Sequence, residues 1–339
     1  MHGPCRQEIK NVRAGWPGLV NLIGWPHRVS ALMMKIARNW TAGQKEVFLT
    51  VVSSVLVVAV LLGGIYAYTG NWPPMVVVES GSMQHSSTYA YLGDLNIGDM
   101  VLVKKVSSPS QIVTYVQGVA RSYSTYGEPG NVIIYKPYGN DGVVPIIHRA
   151  IVYIQYNGSG GYDIPSLLDL PLSQWYVMSP QGHEHYVNNI RYDVKILDVG
   201  YTHTPVIIPV ALMMQRAKFS GFITMGDNNH AVYGENATDQ ALRIFPLPVK
   251  IQWVEGVAQG LLPYVGLVKL MVDRLMAHDK TLLPAATPQN SEYALVVIVA
   301  GMIGGVLATD FLFEYWKLRT GKRRGKEEGH GKDGDGNSD

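Results

Sequence analysis

Four short stretches carry side chains able to do covalent chemistry: Glu79-Ser80-Gly81-Ser82-Met83, Gly98-Asp99-Met100-Val101, Pro145-Ile146-Ile147-His148-Arg149 and Thr224-Met225-Gly226-Asp227-Asn228-Asn229. A serine hydroxyl is a weak nucleophile until a neighbour takes its proton, and a neutral imidazole can take it without the burial a lysine would need. Each stretch also has an ordinary reading. Ser-Gly-Ser beside a strand makes a turn, and a histidine ending an apolar strand packs into a core.

Other reactive residues carry weaker signals. His183 and His185 form a His-Glu-His pair without further ligands, which reads as an exposed loop and not a metal site. Lys104, Lys105 and Lys136 read as solvated. Cys5 is the only cysteine, so residues 70–292 contain neither a disulfide nor a thiol nucleophile. Asn157-Gly158-Ser159 and Asn236-Ala237-Thr238 are glycosylation triplets, and Gly301 with Gly305 forms a small-xxx-small pair.

The four stretches, in this order after an N-terminal apolar segment, resemble the type I signal peptidase family in its archaeal and endoplasmic-reticulum branch. The resemblance covers about residues 72–270 and includes residues 257–266, which look like that branch's closing strand. It implies Ser82, directly before Met83, as nucleophile, and Ser80 with the backbone N–H of Ser82 as the oxyanion hole. His148 matches the general base, standing where bacterial relatives carry a lysine. Asp227 matches one family aspartate. The branch's second, histidine-orienting acid falls about where Tyr233 stands, so Asp239 of Thr238-Asp239-Gln240 is taken as that acid after a short insertion, with Glu235 as the alternative and Asp227 left with an uncertain share. By the same analogy Met75, Val76, Val77, Val78 and Met83 line an extended substrate, and no metal or organic cofactor is needed.

Such residues need a scaffold and a location. With 339 residues, 47% of them hydrophobic, the chain can bury one good core or two smaller ones. Residues 47–68 run for 22 positions without a charge, and residues 293–309 for 17 more, so each reads as a transmembrane helix. Residues 47–68 begin too late and run too long for a cleaved leader. Arg28, Lys35, Arg38 and Lys45 precede the first, and Lys317, Arg319, Lys322, Arg323, Arg324 and Lys326 follow the second, so both ends are expected in the cytoplasm. Residues 70–292 then lie outside; their 17 acids against 14 bases argue against a nucleic-acid partner.

The expected organisation is a cytoplasmic segment (1–46), a first span (47–68), an extracytoplasmic catalytic domain (70–292), a second span (293–316) and a charged tail (317–339) whose Gly-rich part from 321 is disordered. Short β-branched runs at 75–78, 100–103, 132–135, 145–153, 221–225 and 249–257, bounded by Gly, Pro, Asn or Asp, predict a mainly β domain. Residues 106–129 and 156–217 read as insertions, and 206–214 as a buried strand. The resemblance implies a multi-pass membrane endopeptidase acting on preproteins that carry signal peptides, with the lipid bilayer and the export translocon as partners. The alternatives are an inactive receptor or assembly factor on the same fold, and a self-cleaving protease of the repressor type.

Overall fold

Residues 47–68 carry no charge, and a helix satisfies its own N–H and C=O groups in an apolar setting; α1 (Ala42–Thr69) forms there, with the Ser53 and Ser54 hydroxyls bonded back to the Thr50 carbonyl. At about 1.5 Å per residue it is longer than an apolar bilayer core of about 30 Å. The computed structural model describes residues 41–330. Cys5, Arg28, Lys35 and Arg38 lie outside the described residues. The chain divides into two units at Ile65 and Tyr66; the first holds, among the described residues, most of α1, and the second holds the elements that follow.

The second unit runs through β1 (Met75–Val77), β2 (Met100–Lys104), α2 (Tyr115–Arg121), β3 (Ser124–Thr125), β4 (Glu128–Pro129), β5 (Val132–Tyr135), β6 (Ile146–Tyr156) and β7 (Tyr162–Asp163). There follow β8 (Trp175–Ser179), β9 (Gly182–Glu184), β10 (Val194–Val199), β11 (Thr204–Ile208), α3 (Val210–Arg216), β12 (Gly221–Met225), α4 (Asp227–Tyr233) and α5 (Asp239–Leu242). The chain closes with β13 (Val254–Leu262), α6 (Leu267–Met276) and α7 (Gln289–His330).

The architecture is mainly antiparallel β. The largest sheet has the order β1-β2-β13-β5-β6-β12, with β7 on β6. Strands β5 and β12 are buried at every position, as expected of β-branched runs covered on both faces, whereas β2 alternates. Among the described residues, strand β1 pairs only with β2 and leaves its outer edge open. A second sheet, β11-β10-β8-β9, packs Trp175, Val177, Ile196 and Val206 against Ile151 and Ile223 of the first. A two-stranded ribbon joins β3 and β4.

Several sequence expectations shift. The run at 249–257 begins its strand only at Val254: Val249 makes a single bridge to Phe222, and a one-turn 3-10 helix at Ile251–Trp253 interrupts the extended backbone before β13. The expected strand at 206–214 ends at Ile208, where Pro209 breaks the ladder and the Ala, Leu, Met and Gln that follow enter α3. The two presumed insertions are built, the first as α2 and the β3–β4 ribbon, the second as the whole four-stranded sheet together with β7 and α3.

Among the described residues two helices, α1 and the Gln289–Thr309 part of α7, are long and apolar enough to cross a membrane. Helix α7 continues through His330, ten residues into the stretch expected to be disordered, since Lys, Arg and Glu sustain a helix across isolated glycines; residues 331–339 lie outside the described residues. Its first turns pack Ala294, Leu295 and Ile298 on Tyr264, Leu267 and Leu270. Gly301 and Gly305 have open space where a Cβ would stand.

Candidate active site

Three residues after strand β1 ends, a tight 3-10 turn, Gly81–Met83, carries Ser82. The turn is anchored by Met83, 1% exposed and packed among Val78, Leu95 and Val101, so the residue expected to touch substrate is chiefly a core plug beneath the groove. His148 is the third residue of β6 and is buried. Asp239 opens α5 and has no exposed surface; Thr238 caps that helix and bridges to Met225, which brings the loop back onto β12.

These three side chains form a continuous chain. Ser82 Oγ lies 2.9 Å from His148 Nε2, and His148 Nδ1 lies 2.7 and 2.8 Å from the two Asp239 oxygens. Asp239 Oδ2 also accepts from Thr224 Oγ1 at 2.6 Å and from the Tyr135 hydroxyl at 2.9 Å. Burial and then the Asp239 charge push the Tyr135 phenol well above its usual range, which keeps it a donor. A carboxylate so held accepts the Nδ1 proton, leaving the Nε2 lone pair toward Ser82. Ser80 Oγ stands 3.2 Å from Ser82 Oγ on the exposed side. Gly226 is required by this approach: a Cβ there would meet the Ser82 carbonyl oxygen at 2.6 Å and His148 Nε2 at 3.0 Å.

Asp227 belongs to a neighbouring network. Arg149 Nε and Nη2 donate to its oxygens at 2.8 and 2.7 Å, and Nη1 donates to the carbonyls of Thr125, Glu128, Pro129 and Gly130 in the β3–β4 ribbon. His85 Nε2 reaches Asp227 Oδ2 at 3.1 Å. Burial would raise the Asp227 carboxyl, but the charge and hydrogen bonds of Arg149, with those of His85, hold it at about 2. Because folding lowers this pKa, the stabilisation is full above the ordinary carboxylate range and disappears as pH falls through about 2. Asp227→Asn strands the buried Arg149 charge and is expected to lower unfolding stability by about 3 to 5 kcal/mol at neutral pH, with the difference narrowing as pH drops toward the folded pKa. Denaturant titration followed by tryptophan fluorescence measures it; equal midpoints at neutral pH would contradict it.

Glu235 is placed elsewhere, on Lys195, and Tyr233 is exposed. Lys136 is held by Asp141 and Glu255. His183 stacks on Tyr176 and His185 meets Trp175 edge-on; among the described residues no group of three or more potential metal ligands occurs. Asn228 Nδ2 donates to the Gly81 carbonyl at 2.9 Å, fixing the Ser82 turn from the far side. Sequence reading assigned no role to Tyr135, Thr224, Asn228 or His85. Only Tyr135 gave a signal, since a tyrosine inside a fully apolar strand must find a partner for its hydroxyl.

A groove of about 880 Å³ runs from Met75, Val76, Val77 and Val78 past Ser80 and Ser82 to residues 144–148. Its walls are mostly apolar, with Glu79 and Lys269 paired at one place and Lys136 and Glu255 at another. No family model matches the chain, and no characterised protein matches it significantly.

Proposed function

We propose that the chain is a membrane-anchored serine endopeptidase of the signal peptidase type, cleaving signal peptides from exported preproteins. The observation that carries the reading is the Ser82–His148–Asp239 relay at the edge of an apolar groove that follows an open strand edge. An extended peptide can add to the free edge of β1 through backbone pairing while its side chains enter the groove. Two apolar helices and the basic residues beyond them support a catalytic domain held outside the membrane, with both termini in the cytoplasm and the β domain of the signal-peptidase type between them.

The chemistry follows from the atoms at hand. His148 Nε2 takes the Ser82 proton as Oγ adds to the scissile carbonyl; the imidazolium is stabilised by Asp239. The oxyanion accepts from the Ser80 hydroxyl and the Ser82 N–H, each positioned donor being worth about 2.7 to 4 kcal/mol. The C–N bond breaks as His148 returns the proton to the leaving amine, leaving an acyl-enzyme. Water, deprotonated by His148, then adds to the ester carbon and releases the signal peptide's carboxylate and Ser82. The closed relay weighs against an inactive binding factor, whose acid would have no reason to sit on the imidazole.

Detergent-solubilised full chain incubated with a preprotein is expected to release the mature chain and an intact signal peptide. Preproteins that remain uncut across several signal sequences would contradict the proposal.

A further inference from the structure

His85 lies three residues beyond Ser82, and its side chain is 13% exposed. Both of its ring nitrogens face carboxylates: Nε2 stands 3.1 Å from Asp227 Oδ2 and Nδ1 stands 3.3 Å from Asp94 Oδ1. A neutral imidazole has one N–H and one lone pair, so one ring nitrogen would set a lone pair toward a carboxylate oxygen; the imidazolium donates a hydrogen bond to Asp227 and turns its second N–H toward Asp94 as an ion pair. The surrounding elements add Glu128 from β4, and Tyr201 and His203 from the turn after β10, with Arg149 of β6 beyond Asp227. Tyr201 lies against the ring at 4.6 Å between centroids, and Gly127 closes the far side, where a Cβ would meet His85 Cε1 at 2.9 Å.

The site is coupled to the nucleophile by short connections. Asp227 is the first residue of α4, and the next residue, Asn228, holds the Gly81 carbonyl. The Ser82 turn is thus fastened to the start of α4 on both sides, by Asn228 before the nucleophile and by His85 after it. We propose that His85 is a pH-dependent positioning residue: its imidazolium clamps the Ser82 turn to α4, and deprotonation loosens that turn, so that turnover declines at alkaline pH. The proposal rests on the peptidase reading of Ser82 and His148.

The electrostatics agree with the geometry. Burial works against the charge on His85, yet the hydrogen bond to Asp227 and the charges of Asp227, Asp94 and Glu128 outweigh it, and the pKa is raised above its ordinary value of 6.5. A raised histidine pKa stabilises the fold fully below the ordinary imidazole range, and the stabilisation is lost as pH rises through the folded value. The switch therefore lies on the alkaline side of the histidine range.

The test uses the full chain in detergent, with kcat and KM for a preprotein measured from about pH 5 to about pH 10, together with hydrogen-exchange protection of residues 81–86 over the same range. For the wild type, kcat is expected to fall by about tenfold across an alkaline limb with little change in KM, and protection of the turn to fall with it. His85→Gln retains a single donor for Asp227 and cannot titrate; it should abolish that limb and remove the alkaline loss of protection. Asp94→Asn removes one of the two carboxylates and should move the limb to lower pH. If the wild type cleaves and His85→Gln leaves both the alkaline limb and the protection profile unchanged, the clamp is overturned while the peptidase reading stands. If the wild type cleaves nothing yet its turn loosens with pH and the turn of His85→Gln does not, the peptidase reading fails and the clamp stands. Should His85→Gln not fold, Asp94→Asn decides: a shifted limb supports the clamp and an unmoved one overturns it.

Discussion

Ser82→Ala and His148→Ala are each expected to lower kcat for preprotein cleavage by about 10⁴- to 10⁶-fold, with KM almost unchanged. The two side chains share one proton at 2.9 Å, so either loss removes the same step, and the double variant should be hardly worse than the single ones. Ser82→Ala should fold, because Ser82 sits at the groove and its turn is held by Met83 and Asn228. His148→Lys should not rescue activity. A lysine at this position would meet the fully buried Asp239 carboxylate, which favours the charged ammonium, and an ammonium has no lone pair to accept the Ser82 proton. Near-wild-type turnover by either alanine variant would remove the assignment.

Asp239→Asn is expected to give a folded protein whose kcat is down by about 10⁴-fold, the scale seen when the orienting acid of a serine-histidine hydrolase becomes an amide. An Asn side chain can offer its NH₂ to Nδ1, which turns the imidazole proton to Nε2 and points a donor at the Ser82 hydroxyl in place of the lone pair. Thr224 and Tyr135 would still have an oxygen to donate to, so the fold should largely persist. Glu235→Gln, by contrast, loses only the Lys195 pair, with Glu235 43% exposed, and should retain full activity. Steady-state kinetics on the two variants separates the alternatives; a dead Glu235→Gln beside an active Asp239→Asn would redraw the relay.

The candidate site was legible to different depths. Strands β5 and β12 follow directly from runs of Val, Ile, Phe and Tyr bounded by turn residues, while His148 stands near the start of β6 and Ser82 in the turn that follows β1. The acid was ambiguous because eleven residues separate Asp227 from Asp239, and the path of that loop depends on contacts that spacing does not encode. Helix α4 and a 3-10 turn at Gly234–Asn236 absorb the extra length, and the bridge from Thr238 to Met225 then sets Asp239 against Thr224. The four-stranded sheet was read as an insertion because its strands are separated by many Gly, Pro and Asn residues and bury chiefly against β6 and β12, so their partners lie far along the chain. His85 left no trace at all. A lone histidine after a serine turn acquires meaning only when Asp94 and Asp227 converge on it from distant segments.

The central claim, that Ser82 cuts a signal peptide by way of an acyl-enzyme, is tested most directly by comparing wild type and Ser82→Ala on one preprotein and determining the new N-terminus by mass spectrometry. The account predicts that the wild type yields a single mature N-terminus just after small residues at the first and third positions before the cut, and that Ser82→Ala yields none. Cleavage by Ser82→Ala at the same bond, or wild-type cleavage scattered without regard to those positions, would contradict it.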